Sequence, residues 1–301
     1  MSLQHKVTVG YIPEHFSVPL LLARDHKIFD NLKLSVEFVP CPEGSGRLIS
    51  LLKSKEIDIA IGLTEAFVRG LCQGDESYQI QGEYVKSPLC WAISTGYGRD
   101  DIDDEADLTK GNTKKVGVSR IGSGSYVMSY VLALKLKLGE SPFKFEVLHN
   151  FQNLRAAVNE KTTDIFLWEY FTTKKYYENK ELKQIGEIYT PWSSWVVVSS
   201  RSRDLKPSLE LFLDGLQKGI QYYREHQEEA VNYILEHLDY NSKTDLQQWA
   251  KRTVFSNNVR LVDFQRNIIE TKDVLQLAGV VDNEDDVILK RLQKGLRQYT
   301  I

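Results

Sequence analysis

The sequence predicts a mixed α/β protein built as two lobes, each a mainly parallel sheet flanked by helices, with two extended crossings between them. Three observations carry this. From residue 7 onward strand-like and helix-like stretches alternate, the order that makes parallel sheets through right-handed crossovers. A second strand, glycine turn and helix open at residues 114–137, KKVGVSRIGSGSYVMSYVLALKLK. The first half then repeats in the second: LISLLKSKEIDIAI (48–61) lies over LRAAVNEKTTDIFL (154–167), and VTVGYI (7–12) over VGVSRI (116–121).

Taken in order, residues 7–12 form a buried strand and 13–17 a loop, with Pro19 in the first turn of the helix PLLLARDHKIFD, where its missing donor costs nothing. The strand LSVEFVP (34–40) leads through Glu43-Gly44-Ser45-Gly46 into a helix with Leu48, Leu51 and Leu52 on one face. EIDIAIGL (56–63) is a third strand. The next helix turns Leu63, Ala66, Phe67, Gly70 and Leu71 inward and leaves Thr64 and Glu65 near its start. Open parallel sheets collect ligands at the carboxyl ends of their strands, so the loop holding Tyr11 and His15 is the first candidate rim.

In 114–137, Val116 and Val118 alternate in a strand, Ile121 to Ser125 make the turn, and Val127, Val131, Leu134 and Leu138 share one helix face. The turn opens a helix, where backbone N–H groups lack partners and the macrodipole is positive. Ser123, Gly124 and Ser125 therefore offer a seat for a carboxylate, a phosphate or a polar ring edge. Ser123 or Ser125 is equally suited to be a simple N-cap.

Residues 78–98 are strand-like and give way to an acidic surface excursion over 99–114; 190–200 is a second strand-like run. These crossings bound lobe II at 93–196, leaving 1–92 and 197–301 as lobe I. From Pro207 consecutive helices follow, broken near 239–242, 256–258 and 282–283, and they are expected on the outside of lobe I. The charged segment 172–183 reads as a solvated helix face or loop.

The 301 residues carry 38 Lys+Arg against 41 Asp+Glu, dispersed along the chain, so no electrostatic footprint for nucleic acid exists. Hydrophobic residues make up 42%, enough for large buried cores. Cys41, Cys72 and Cys90 show no metal or redox spacing and read as reduced structural thiols. No apolar run suits a secretory leader or a membrane span, so the expected setting is cytoplasmic, away from membranes. No HExxH, P-loop, nucleophile elbow, paired-carboxylate motif or clustered metal ligand appears, and no cofactor or metal is expected.

GYIPEHFSVPLLLARDHKIFD, LLKSKEIDIAIGLTEA, GVSRIGSGSYVMSYVLA and NLRAAVNEKTTDIFLWE, in this order and spacing, resemble the type II periplasmic-binding-protein superfamily. The likeness covers the first two-thirds of the chain. It points to the branch similar to fungal pyrimidine-precursor synthases of thiamine biosynthesis and to binding proteins for thiamine precursors, alkanesulfonates and nitrate. The resemblance implies a two-lobed clamp closing on a small molecule, with ligand positions at Tyr11, His15, Thr64, Glu65, Ser123, Gly124, Ser125, Trp168 and Glu169. Trp192 and Trp195 would line the mouth. Aromatic walls and a carboxylate such as Glu169 suit a pyrimidine-like ring bearing an exocyclic amine. Each tryptophan is equally a core residue, His15 can bond within its own loop, Glu65 can serve the helix start, and Arg120 can pair with a ligand carboxylate or a surface acid. The resemblance departs from the synthases at three places: their lysine position falls on Gly62, their histidine on Ala66, and WSSWVVVSS at the return crossing has no cysteine. The expectation is therefore binding without catalysis, the alternative being an enzyme related to those synthases and using the same cleft.

Overall fold

Valines and isoleucines in short runs, buried on both faces, set the central strands of this chain. The computed structural model describes residues 5–139, 141–282 and 284–297. It divides into two units: unit 1 takes the described residues up to 87, then 192–271 and those from 284 on; unit 2 takes 88–191 and the described part of 272–283.

In unit 1, β1 (His5–Tyr11) runs parallel to β2 (Leu34–Pro40) on one side and β3 (Ile59–Leu63) on the other, and β10 (Trp195–Ser200) lies antiparallel between β3 and β4 (Tyr78–Val85). The order is β2-β1-β3-β10-β4. Val7, Val9, Ile59, Ala60 and Ile61 are wholly buried, as strands covered on both faces must be. Helices α1 (Val18–Asp25), α2 (Ile28–Asn31), α3 (Ser45–Lys53) and α4 (Thr64–Cys72) connect the strands. The long α8 (Lys206–Glu225) packs on α1, and Phe212 stacks on Phe29 with ring centroids 5.5 Å apart. Helices α9 (Gln227–His237), α10 (Lys243–Arg252) and a further helix over Asp285–Lys294 complete the unit.

Unit 2 follows the same plan. Its sheet is ordered β7-β6-β8-β5-β9, built from β5 (Cys90–Gly96), β6 (Lys115–Val118), β7 (Lys144–Val147), β8 (Ile165–Glu169) and β9 (Leu182–Tyr189). β6 pairs parallel with β7 and β8, and β5 runs antiparallel between β8 and β9. Position by position β6 stands for β1, β7 for β2, β8 for β3, β5 for β10 and β9 for β4. Helices α5 (Gly124–Lys135), α6 (Phe151–Asn159) and α7 (Tyr170–Glu178) occupy the connections.

The repeat extends to an aspartate clasp in each unit. In unit 1, Thr8 N donates to Asp58 Oδ2 at 2.9 Å and Asp58 N to Thr8 O at 2.8 Å. Arg203 then grips the same carboxylate with Nε (2.8 Å) and Nη2 (2.6 Å). In unit 2, Lys115 N donates to Asp164 Oδ2 at 2.7 Å, Asp164 N to Lys115 O at 2.8 Å, and Arg99 Nη2 to Asp164 Oδ1 at 2.9 Å. Arg203 comes eight positions after Trp195 and Arg99 eight after Trp91, so each antiparallel strand carries a tryptophan at or next to its start and leads to the arginine of its clasp.

The division into units and the inward face of α5 differ from the expected ones. Residues from 197 onward do not all belong with lobe I: the described part of 272–283 belongs with unit 2, where Ala278 O accepts from Tyr126 Oη at 3.4 Å. The chain changes unit after residues 87 and 191 rather than 92 and 196, beside Pro88 and Pro191. The buried face of α5 also differs from the expected stripe. Leu134 is 52% exposed, while Ser125, Ser129, Leu132 and Ala133 face inward, because small side chains let the helix lie close and Ser129 Oγ returns a 2.7 Å bond to Ser125 O. Residues 1–4, part of the stretch read for a leader, and Asn283 of the break at 282–283 lie outside the described residues.

Asp58→Ala strips a strand N–H and Arg203 of their carboxylate, and Asp164→Ala strips a strand N–H of its acceptor and leaves Arg99 on Asp101. Each is expected to lower unfolding free energy by about 1–3 kcal/mol, read as a reduced midpoint in urea.

Candidate functional site

In unit 1 the carboxyl end of β3 runs directly into α4, with extended Leu63 (φ −68, ψ 132) as its N-cap. Thr64 follows and is fully buried: its N donates to Ser194 O at 3.0 Å and its Oγ1 to Ser193 O at 2.5 Å. The segment entering β10 is thereby strapped to the start of α4, and Trp195 pairs with Leu63. Glu65 comes next and is 3% exposed. Trp192 Nε1 donates to its Oε2 at 3.2 Å, whereas Oε1 is buried with no hydrogen bond among the described residues. Burial pushes the Glu65 carboxyl up to about 7, against a backbone hydrogen bond, the Trp192 donor and the Arg69 charge, which all pull it down. Near neutrality this group is ready to accept from a ligand amine or, protonated, to donate to a ligand acceptor.

Tyr11, His15 and Trp195 are placed in packing. Tyr11, at the end of β1, meets Phe38 edge-on at 6.3 Å, and burial raises its phenol despite nearby Arg24. His15 is enclosed by Phe16 (4.4 Å), Tyr240 (4.6 Å) and Trp249 (4.6 Å), and its Nδ1 lies 2.8 Å from Tyr240 Oη. Trp195 lies 5.4 Å from Phe16.

In unit 2 the turn after β6 holds Gly122 at φ +74, which favours glycine there, and Ser123 caps α5. Ser123 Oγ accepts from Tyr126 N at 3.4 Å and lies 3.0 Å from Ser125 Oγ. Both serine side chains are buried, Gly124 is half-buried, and Arg120 is exposed beside the turn. At the end of β8, Trp168 stacks on Phe151 at 4.9 Å and 19°, against a core of Leu154, Val158, Phe166 and Leu182. Glu169 caps α7, accepting from Thr172 N at 2.7 Å on Oε2, while its carbonyl accepts from Thr173 Oγ1 at 2.7 Å.

The structure thus gathers Thr64, Glu65, Trp192 and Trp195 at one strand end of unit 1, and Ser123, Gly124 and Ser125 at the start of α5 in unit 2. Trp168 and Glu169 end the neighbouring strand β8. Trp91 adds to that end: it pairs with Glu169, and its buried Nε1 finds no acceptor among the described residues. Sequence reasoning passed over Trp91 as one apolar residue of a strand, although its eight-residue spacing to Arg99, matching Trp195 to Arg203, was readable. Among the described residues no group of three or more His, Cys, Asp or Glu could hold a metal, and no helix is long and apolar enough to cross a membrane.

Because Glu65 binds its proton more tightly folded (about 7) than unfolded (4.5), the folded state holds the extra proton between those values. Its contribution to stability is therefore greatest below pH about 4.5 and declines as pH rises through about 7. Glu65→Gln is expected to flatten this decline, on the order of 3 kcal/mol over the interval, in urea unfolding followed from pH about 5 to about 8.

The sequence profile described as Ca3427-like PBP matches residues 91–188. The Candida albicans CA3427 gene product is 50% identical over 98% of this chain and 97% of that one, with a TM-score of 0.89. At 13% identity the fold is shared with the alkanesulfonate-binding protein SsuA from Xanthomonas axonopodis pv. citri bound to MOPS, covering 98% of both chains with a TM-score of 0.75. It is shared likewise with the periplasmic nitrate-binding protein NrtA from Synechocystis PCC 6803, at 15% identity, 98% of this chain, 86% of that one and a TM-score of 0.72. No curated protein matches the chain. The identity and coverage shared with the Candida protein decide the assignment: this chain belongs to the CA3427 family, which exhibits the generic periplasmic binding protein structural fold.

Proposed function

We propose that this protein binds a small molecule and releases it unchanged, its two units closing on the ligand from the strand ends that carry Thr64 and Glu65 in one and Ser123 to Ser125 in the other. The observation that carries this is Glu65: a buried carboxyl with one oxygen held by Trp192 and the other left without a donor among the described residues. An unsatisfied buried acceptor costs free energy that a ligand donor would recover. The relatives' ligands support the type of cargo, SsuA being bound to MOPS and NrtA being nitrate-binding.

The ligand chemistry that fits best is a flat heterocycle carrying an amine, of the thiamine-pyrimidine kind. Its exocyclic N–H would face Glu65, and its polar edge the α5 start, with Trp91 Nε1 as a further donor. Glu169 is the weaker acceptor, since its carboxylate already serves α7. A cytoplasmic carrier, buffer or sensor is the setting this reading takes. The second reading is an enzyme in the same cleft, favoured by one observation: a carboxyl near 7 is suited to general acid or base work.

Mass spectrometry of small molecules released on denaturing freshly purified protein identifies the cargo. At a hundredfold excess over its dissociation constant that molecule is expected to stabilise the fold by about 2.7 kcal/mol. Glu65→Gln and Ser125→Leu, each measured against its own unliganded stability, are expected to lose this gain. Unchanged affinity in both variants overturns the site, and turnover of the released molecule by the pure protein promotes the enzyme.

A further inference from the structure

A second buried carboxylate lies behind the entry to β10, wholly within unit 1. Glu83, in β4, is 6% exposed, and its Oε2 accepts from Ser193 Oγ at 3.1 Å and Asn267 Nδ2 at 2.8 Å. Its Oε1 has no hydrogen bond among the described residues, yet it is not sealed off: Glu83 lines a cavity of about 390 Å³. Lys86, Asp263, Arg266, Asn257 and Asn258 line the same cavity. Neither the exposed Lys86 ammonium nor the Arg266 guanidinium forms an ion pair among the described residues, and Asp263, whose Oδ1 accepts from Arg266 N at 3.0 Å, also lines the cavity, so its two carboxylates balance its two cations in number.

The walls are built rather than incidental. A Cβ at Gly82 would collide with the Val259 carbonyl, so glycine there lets the 256–262 segment lie against β4. Arg266 and Asn267 sit on a six-residue π-helical turn (Phe264–Ile269), a winding that often marks functional sites. Asn267 is fully buried; its Oδ1 accepts from Ser193 N at 3.0 Å while its Nδ2 holds Glu83. Glu83 is thus fixed from inside with one oxygen turned to the cavity, and such a preset acceptor has no need of reorganisation to bind.

We propose that this cavity is a binding site for a small amino-acid zwitterion, its ammonium on Glu83 Oε1 and its carboxylate between Lys86 and Arg266. An ammonium satisfies the open oxygen by a charge-assisted bond, and a carboxylate is the partner for which a guanidinium fork is shaped. A zwitterion adds no net charge to a cavity whose carboxylates and cations balance, as a lone cation or a lone anion would. The volume falls within the range of small-molecule pockets. The proposal does not depend on the function proposed above, because none of these contacts involves Glu65 or the α5 turn.

The test is isothermal titration of the full chain with glycine, β-alanine and γ-aminobutyrate, whose lengths differ, beside methylammonium and acetate alone, each to millimolar concentration. At least one amino acid is expected to bind saturably and more tightly than either half-molecule. Glu83→Gln keeps an acceptor for Ser193 and Asn267 but removes the charge, and is expected to weaken binding roughly tenfold or more. Lys86→Met combined with Arg266→Met should weaken it similarly, and Ser125→Leu should leave it unchanged. Absence of saturable binding by all three amino acids, binding unaltered in Glu83→Gln, or equal binding of methylammonium overturns the proposal.

Discussion

An aspartate placed just before the third strand of each sheet is the constraint on which the rest of the architecture depends. Asp58 and Asp164 each exchange hydrogen bonds with the backbone of the neighbouring parallel strand, at Thr8 of β1 and Lys115 of β6, and each is gripped by an arginine arriving from the antiparallel strand. In a sheet a slip of one residue turns every side chain to the opposite face. Fixing the first and third strands at one end therefore decides what emerges at the other. The consequence reaches Thr64 and Glu65, which follow β3 after only its five residues, and Trp168 and Glu169, which end β8.

Around Glu65 two physical effects oppose each other. A helix start favours a carboxylate, and the Trp192 N–H does too, but removal from water outweighs both. The serines of the α5 turn spend their hydroxyls on each other and on the helix start, while Ile121 is exposed and Gly122 and Gly124 are half-buried in that turn. Ser193 links several of these parts: its carbonyl holds Thr64, its N–H holds Asn267, and its hydroxyl holds Glu83.

Much of the fold was legible because strand and helix periods alternate with short, regular connections. The strand 34–40 is found at those bounds, β3 and α4 fall where the apolar spacing puts them, and the repeat of 48–61 in 154–167 reappears as matching helix–strand pairs. What escaped was partner choice. An amphipathic pattern shows that a helix has a buried face, not which neighbour covers it, so the passage of 272–283 to unit 2 had no local signal. The inward face of α5 escaped because serine counts as polar until Ser129 bonds back to Ser125. His15 and Glu169 illustrate the limit at the site: a histidine caged by three rings and a carboxylate capping α7 use residue types identical to those a ligand would require. Glu65 was legible as a position, but its buried donor Trp192 lies more than a hundred residues away.

The strand order also dictates how the protein can be assembled as it leaves the ribosome. β10 lies inside the sheet of unit 1, between β3 and β4, yet among the described residues it is the last strand to be made. All five strands of unit 2 lie between Cys90 and Tyr189 and are available earlier. The nascent N-terminal segment must therefore wait, with the edges of β3 and β4 unpaired, until its neighbour has been synthesised. Unpaired strand edges are where a growing chain meets the wrong partner, so the interval before Trp195 emerges is when this protein has most need of a chaperone.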